Sequence, residues 1–527
     1  MNRPTGPTRE HDVRQPGADQ AGHTESGSSR WVVLVVMCAG NFLVLLDVTI
    51  VNVALPRIGS GLGTQLSGLQ WVVDGYAIAL AAVLLTGGTV GDLHGHKRVV
   101  LCGLAVFGAA SLGCGLAPST GVLVGARVIQ GVGAALLLPG TLAIISEAYP
   151  GRGERARAIG IWAGVGSVAL PAGPLLGGAL VQDIGWRAVF VINVPIVLIA
   201  GIVAARVVRE SRETQTRNMD CAGVLLGGLL LVAITFAVVE AGHTGRDELV
   251  VAAIVLAVVL LVAFLAVERS RVDPMLPLEL FRRPAFSTAN AVAAVMNVGT
   301  LGLLFLLTMY LQTVQGRSAL AAGVAVLPLF LPLSLLAPVA GRLTARVGPR
   351  LPMAGGLVVS ATGVALLARL QPDSGYGTLL VAMLLWGIGM GLLTPAVVAA
   401  ALDAVPLGRA GLASGVNNTA RQAGGAIGIA AFGALAGSAA DSDSFISGLH
   451  TAGLVTAALF LAATLATLAL IGPGRDRCPR LLRSSAIGGR RWFGGHVPTA
   501  RIELGQRTAE GVEAPAETVG RDKKAQP

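Results

Sequence analysis

The sequence predicts an all-α membrane protein in which two six-helix bundles flank two extra central helices. Three observations carry this prediction. Of the 527 residues, 53% are hydrophobic and 13% charged, a balance outside the range of soluble domains. The apolar residues fall in segments of about 20, the length that crosses a bilayer as a helix. The second half of the chain also repeats glycine and proline positions of the first at an offset of about 255 residues, the mark of a transporter built from two related bundles.

Taken in order, residues 1–30 form a polar arm that is expected to be cytoplasmic. The first apolar segment starts near Trp31, and no small-residue cleavage site follows a short apolar core, so it reads as a retained helix and not a signal peptide. Segments starting near Trp71, Val99, Val122, Ala156 and Ala188 complete an N-terminal bundle over residues 31–206. Two more, near Cys221 and Leu249, fall in a linker over 207–284 and have no counterpart in the repeat. Those near Phe286, Leu320, Leu351, Thr378, Ala410 and Thr451 make a C-terminal bundle over 285–472, for about 14 transmembrane helices in all. The tail, residues 473–527, is rich in Arg, Gly and Pro and is expected to be a disordered basic cytoplasmic segment.

Charge sets the orientation. Lys97 and Arg98, Arg152 with Arg155 and Arg157, Arg206 with Arg209, Arg269 with Arg271, and Arg342 with Arg346 and Arg350 fall in alternate loops, whereas the intervening loops carry about one Arg each. Positive residues in short loops stay inside, which places both termini in the cytoplasm of a multi-pass plasma-membrane protein. The net charge of +10 is concentrated in those loops and the tail. It suits contact with the lipid bilayer and argues against a nucleic-acid partner.

The repeat is specific. Gly88, Gly95 and Lys97 recur as Gly341, Gly348 and Arg350; Gly131, Gly133 and Pro139 as Gly387, Gly389 and Pro395; Gly160, Ala169 and Gly173 as Gly415, Gly424 and Gly428. The ionisable groups break this symmetry. Asp47 sits in the middle of the first apolar segment, where a charge costs about 3 kcal/mol on insertion scales, and it has no acidic partner in the ninth helix. Arg127 in the fourth helix maps onto Met383. Burial favours a neutral carboxyl and a nearby guanidinium favours a charged one, so small changes of surroundings switch such a group between holding and releasing a proton. Proton coupling is therefore expected in the first half, with Asp47 and Arg127 as its residues; a permanently bonded structural Asp and a structural Arg are the alternatives. The membrane-enzyme class finds no support. There is no Gly-x-Ser-x-Gly elbow, His-Glu-x-x-His site or phosphate-binding loop, no His within a predicted span, and no Cys/His spacing that suits a metal or a disulfide framework, so no cofactor is expected.

The run Leu46–Pro56 (LDVTIVNVALP) and the run Arg127, Val128, Ile129, Gln130, Gly131 resemble the drug:proton antiporters of the major facilitator superfamily, in the branch with 14 helices. The resemblance covers about residues 31–471 and implies the major facilitator fold, with the Arg of the second run in proton translocation. Gly88, Asp92, Gly95, Lys97 and Arg98 resemble the superfamily's loop between helices 2 and 3, where the Asp contacts the neighbouring bundle and holds a gate; Leu93 and His96 stand here at usually basic positions. Gly160, Gly173, Pro174, Gly177 and Gly178 resemble the helix 5 motif of exporters, with Ala169 replacing a Gly. Gly411, Asn417, Asn418, Arg421 and Gln422 also resemble this branch. The implied function is a proton-driven antiporter exporting amphiphilic drugs or antibiotics. A dedicated exporter of one endogenous metabolite and a proton-coupled importer are the alternatives. Substrate-binding candidates are Tyr310 and Trp386, placed near the central cavity by the repeat; Asp74, which reads more readily as a solvated residue at an outer helix end; and Arg421, for which structural bonding with Asn417 is an equal alternative.

Overall fold

The computed structural model describes residues 27–210, 221–241, 247–271, 274, 276, 278–405, 410–436 and 442–472. Most of the expected arm and the whole of the expected tail lie outside them. The first half contains α1 (Gly27–Leu62), α2 (Leu66–His94), α3 (His96–Gly115), α4 (Thr120–Ala148), α5 (Arg152–Asp183), α6 (Ala188–Val191) and α7 (Asn193–Val207). Then follow α8 (Cys221–Ala241) and α9 (Asp247–Ser270). The second half contains α10 (Pro284–Met309), α11 (Ala319–Ala325), α12 (Leu327–Val347), α13 (Arg350–Ala365), α14 (Tyr376–Asp403), α15 (Ala410–Ala436) and α16 (Ser442–Leu470).

Among the described residues 13 helical segments are long and apolar enough to cross a membrane, with α6 and α7 joined as one span, Ala188–Val207. The remaining expected span is α15, whose 27 residues include Asn417, Asn418, Arg421 and Gln422, which lower its hydropathy. Several starts differ from the sequence reading. The tenth span is broken at Val326 because Pro328 enters the first turn of α12, where its missing N–H leaves no helical bond unmade. α16 begins at Ser442 and so takes His450 into a spanning helix, contrary to the expectation of none; its Nε2 lies 2.6 Å from the Leu370 carbonyl oxygen.

The repeat in sequence is a repeat in packing. α1 packs on α5 as α10 packs on α15, α2 and α3 pack on α4 as α12 and α13 pack on α14, and α3 meets α7 as α13 meets α16. The matched glycines are the contact points. Gly133 faces the backbone of Gly103 and Phe107 in α3, and Gly389 faces that of Gly356 and Ser360 in α13. Gly173 faces Thr49 and Ile50 of α1, and its counterpart Gly428 faces Val298 of α10. Without a solvent-driven hydrophobic force in lipid, such close backbone approach is what holds membrane helices together. Gly95 and Gly348 also match, at φ 97° and 82°, values that L side chains rarely adopt, and each turns the chain between two antiparallel helices.

The two halves meet at the end away from the Arg-rich loops. There Gln70 of α2 donates to the carbonyls of Ile429 and Ala430 in α15 at 3.1 and 2.9 Å, and Gln312 donates to Val53 of α1 at 2.9 Å. Gly178 and Gly323 lie against Leu320 and Pro174 across the same seam. α8 lies on both α2 and α15, covering the line between the halves, and α9 packs on α8. Toward the Arg-rich end, Gly160 and Gly164 have open space beside them. Replacing Gly428 or Gly173 by Ala is expected to cost about 1–3 kcal/mol through overpacking, whereas Gly160→Ala should change little. Thermal unfolding of the purified variants checks this ordering, and equal losses at all three positions would contradict the packing described.

Candidate functional site

Asp47 and Arg127 are brought together in the interior of the first half, with side chains 0% and 1% exposed. Arg127 Nη1 donates to Asp47 Oδ2 and, at 2.8 Å, to Gln130 Oε1, while its Nε donates to the Val72 carbonyl at 3.0 Å. Gln130 sits one turn after Arg127 on α4. Its amide donates to Asp47 Oδ1 and to Ser111 Oγ, both at 2.9 Å. Asn193, at the start of α7, reaches Asp47 Oδ1 at 3.5 Å, and the Tyr76 ring lies 4.2 Å from the guanidinium carbon, a cation–π distance. Five elements, α1 to α4 and α7, thus contribute to one network, in which α4 and α7 bond the carboxylate directly.

Both carboxylate oxygens accept hydrogen bonds and the guanidinium has acceptors beyond its counter-ion, which is what a buried pair needs to offset the loss of water. The donors from Gln130 and Asn193 are uncharged. They hold the Asp47 side chain in place whether or not the pair with Arg127 persists. Sequence reasoning named Asp47 and Arg127, quoted Gln130 only within the run that follows Arg127, and missed Ser111, Tyr76 and Asn193. The signal for Asn193 and Ser111 was present, since each is an isolated polar residue in an apolar helix. What it did not show was that Asn193 reaches Asp47 and that Ser111 accepts from Gln130 and Asn193 beside it.

The other expected residues are dispersed. At the turn after α2, the Lys97 N–H donates to Glu210 Oε1 at 3.2 Å, Lys97 Nζ donates to the Ala205 carbonyl at 2.8 Å, and Arg98 pairs with Glu210 at 3.4 Å. The basic residues of this loop therefore engage the last turn of α7 and the segment after it, in their own half. Gly88 lies within α2, and the side chain of Asp92 is outside the described residues. Of the α5 motif, Gly173 and Gly177 touch α1, Gly178 and Pro174 form the seam with α11, and Gly160 is free of contacts.

Asp74 corrects the sequence reading. It is fully buried, 0% exposed, and not solvated, because it lies one turn after Gln70 on the face of α2 that α15 covers. Neither carboxylate oxygen has a hydrogen-bond partner. Tyr310 and Trp386 are both 0% exposed; the Tyr310 hydroxyl donates to the Gln371 carbonyl at 2.6 Å and accepts from Gln315, so neither ring is free to take a ligand in this conformation. Arg421 is half-buried with its Nε unpartnered, and Asn417 bonds Asn290 at 3.3 Å and not Arg421.

Two outcomes follow for stability. In a double-mutant cycle of Asp47→Asn and Arg127→Gln, the double variant is expected to lose less than the sum of the singles, with a coupling of about 1–3 kcal/mol, since each single change strands a buried partner; strict additivity by thermal unfolding would show the pair to be uncoupled. Asp74→Leu is expected to keep or raise the unfolding temperature, because replacing an unpartnered buried polar group removes a desolvation penalty. A marked fall would reveal a partner for that carboxylate.

Comparisons place this geometry among known proteins. Residues 37–429 match the Major Facilitator Superfamily. The chain is 39% identical over 427 residues to the puromycin resistance protein pur8 of Streptomyces alboniger, covering 80% of this chain and 85% of that one. It is 34% identical over 418 residues to the tetracenomycin C resistance and export protein of Streptomyces glaucescens, covering 78% of each. In fold it is similar to a bacterial homologue of the human lysosomal transporter Spinster in an inward-facing, unoccupied conformation, with a TM-score of 0.61, 18% identity, and coverage of 84% of this chain and 97% of the other. With its paired bundles and efflux-type relatives, the chain belongs to the major facilitator superfamily.

Proposed function

We propose that the protein is a proton-driven antiporter that exports amphiphilic drugs or antibiotics across the plasma membrane, with Asp47 carrying the proton and Arg127 as its electrostatic partner. The observation that carries this reading is the buried Asp47–Arg127–Gln130 network, confined to one half of a two-half transporter. A proton arriving on Asp47 removes the charge that holds Arg127 Nη1. The guanidinium then keeps only Gln130, the Val72 carbonyl and the Tyr76 ring, and a buried cation that loses its counter-ion is strongly disfavoured. Protonation is thereby tied to movement of α4 relative to α1, the helices that carry the two groups.

The seam supports the second half of the cycle. Gln70 and Gln312 cross it with hydrogen bonds to backbone carbonyls, as does Ser334 of α12 to the Ser167 carbonyl of α5 at 2.8 Å, and glycines add close backbone contacts, so these bonds join uncharged groups. By the positive-inside pattern, the end where the halves meet is extracellular and both termini lie inside. The resistance and export named for the relatives agree with an outward direction. The relative named for tetracenomycin C favours, as a second reading, an exporter dedicated to one metabolite.

Transport into inverted membrane vesicles with an imposed pH gradient, over a panel of cationic and neutral amphiphiles, tests the proposal. One pH unit supplies about 1.4 kcal/mol, or roughly tenfold accumulation for one proton per substrate. Asp47→Asn is expected to remove gradient-driven accumulation while the protein still inserts, because an amide cannot alternate between charge states. Wild-type pumping by that variant would overturn the assignment of Asp47.

A further inference from the structure

The counterparts of α1 and α4 in the second half are α10 and α14, and where the first pair holds a charged network the second holds a neutral one. Thr300 of α10 donates to the Met296 carbonyl at 2.7 Å, and its hydroxyl oxygen lies 3.9 Å from Met390 Sδ of α14. The arrangement is reciprocal. Thr394 of α14 donates to the Met390 carbonyl at 2.8 Å, with its oxygen 3.9 Å from Met296 Sδ. The depth is shared with the charged network. Gly173 touches α1 at Thr49 and Ile50, its repeat counterpart Gly428 touches α10 at Val298, and Met296 and Thr300 bracket that level as Asp47 lies beside it in α1.

A hydroxyl has one proton and two lone pairs. The carbonyls at 2.7 and 2.8 Å claim both threonine protons over sulfurs at 3.9 Å. What the two side chains present outward is therefore acceptor capacity only, backed by two polarizable thioethers that are themselves weak acceptors. Thr300 and Thr394 are half-buried, not sealed. α10 is flanked by α14, α15 and α16 and faces α1, so the surface it leaves open lies between the halves and not toward lipid.

Resting on the efflux reading, we infer that Thr300 and Thr394, with Met296 and Met390 behind them, form the specificity-determining subsite of the second half and take the ammonium group of a protonated primary amine on an amphiphilic substrate. A primary ammonium brings three donors and no acceptor, matching a site that offers the converse; an amide or ester brings a carbonyl that finds no donor on these four residues. The unbranched methionines adapt to differently shaped apolar bodies attached to that amine.

The test uses the full-length purified protein and two fluorescent probes of nearly one size at pH 8: dansylcadaverine, which carries a primary ammonium, and N-hexyl dansylamide, neutral with a methyl in place of the ammonium. Wild type is expected to hold dansylcadaverine the more tightly. Thr300→Val/Thr394→Val, which keeps side-chain shape, is expected to weaken dansylcadaverine about tenfold or more and N-hexyl dansylamide less than about twofold, since hydrogen bonds to a charged group are lost only for the former. Met296→Leu/Met390→Leu should give a smaller loss in the same sense. Parallel changes for both dyes, no change for either, or wild type binding the two alike or not at all would overturn the assignment of the subsite. The efflux reading fails by a different result, the absence of gradient-driven accumulation of every compound in wild-type inverted vesicles, whatever the dye affinities.

Discussion

A guanidinium and a carboxylate buried together in the first half constrain nearly everything around them. Neither group tolerates that depth alone, so α4 must present Arg127 to α1 at the level of Asp47 and keep it there. Gln130 answers the demand from the next turn of the same helix, binding both partners. Ser111 of α3 and Asn193 of α7 complete the shell at longer range, which fixes the rotation of two further helices. The bundle is thus oriented by polar satisfaction as much as by apolar packing.

Small residues supply the opposite quality. At two helix contacts, matching glycines make the equivalent touch in each half: Gly133 and Gly389 on the third helices of each bundle, Gly173 and Gly428 on the first. These contacts are backbone against backbone, with few interlocking side chains to disengage, and they recur at the seam in Gly178 and Gly323. The hydrogen bonds named across the seam, from Gln70, Gln312 and Ser334 to backbone carbonyls, join uncharged groups. Asp74 belongs to this interface, since it sits beneath Gln70 on the face of α2 that meets α15.

The two halves share architecture and divide chemistry. α1 and α4 carry a charged cluster, and α10 and α14 carry at similar depth an uncharged set of hydroxyls and thioethers. The linker pair α8 and α9 takes no part in either cluster. Its place across α2 and α15 ties it to the seam, as its lack of a repeat counterpart anticipates.

Composition and spacing determine the membrane-spanning helices, the duplicated bundles and the two charged residues at the centre, because each of these is a local property: length of an apolar run, recurrence of a glycine, a charge where lipid forbids it. The break at Val326 was hidden, since Pro328 suits a helix start as well as a kink. Tertiary structure decided what no single segment encodes. Asp74 looked like a residue at a watery helix end until α15 covered it, and Asn193 and Ser111 looked incidental until α7 brought the first to Asp47 and α3 brought the second to Gln130. Tyr310 and Trp386 were expected at a central surface and are packed away, and Lys97 and Arg98 turn to Glu210 in their own half. The reason is common to all of them. A sequence fixes how deep a side chain lies along its helix axis, but the direction it faces and the partner it meets depend on how neighbouring helices rotate against it.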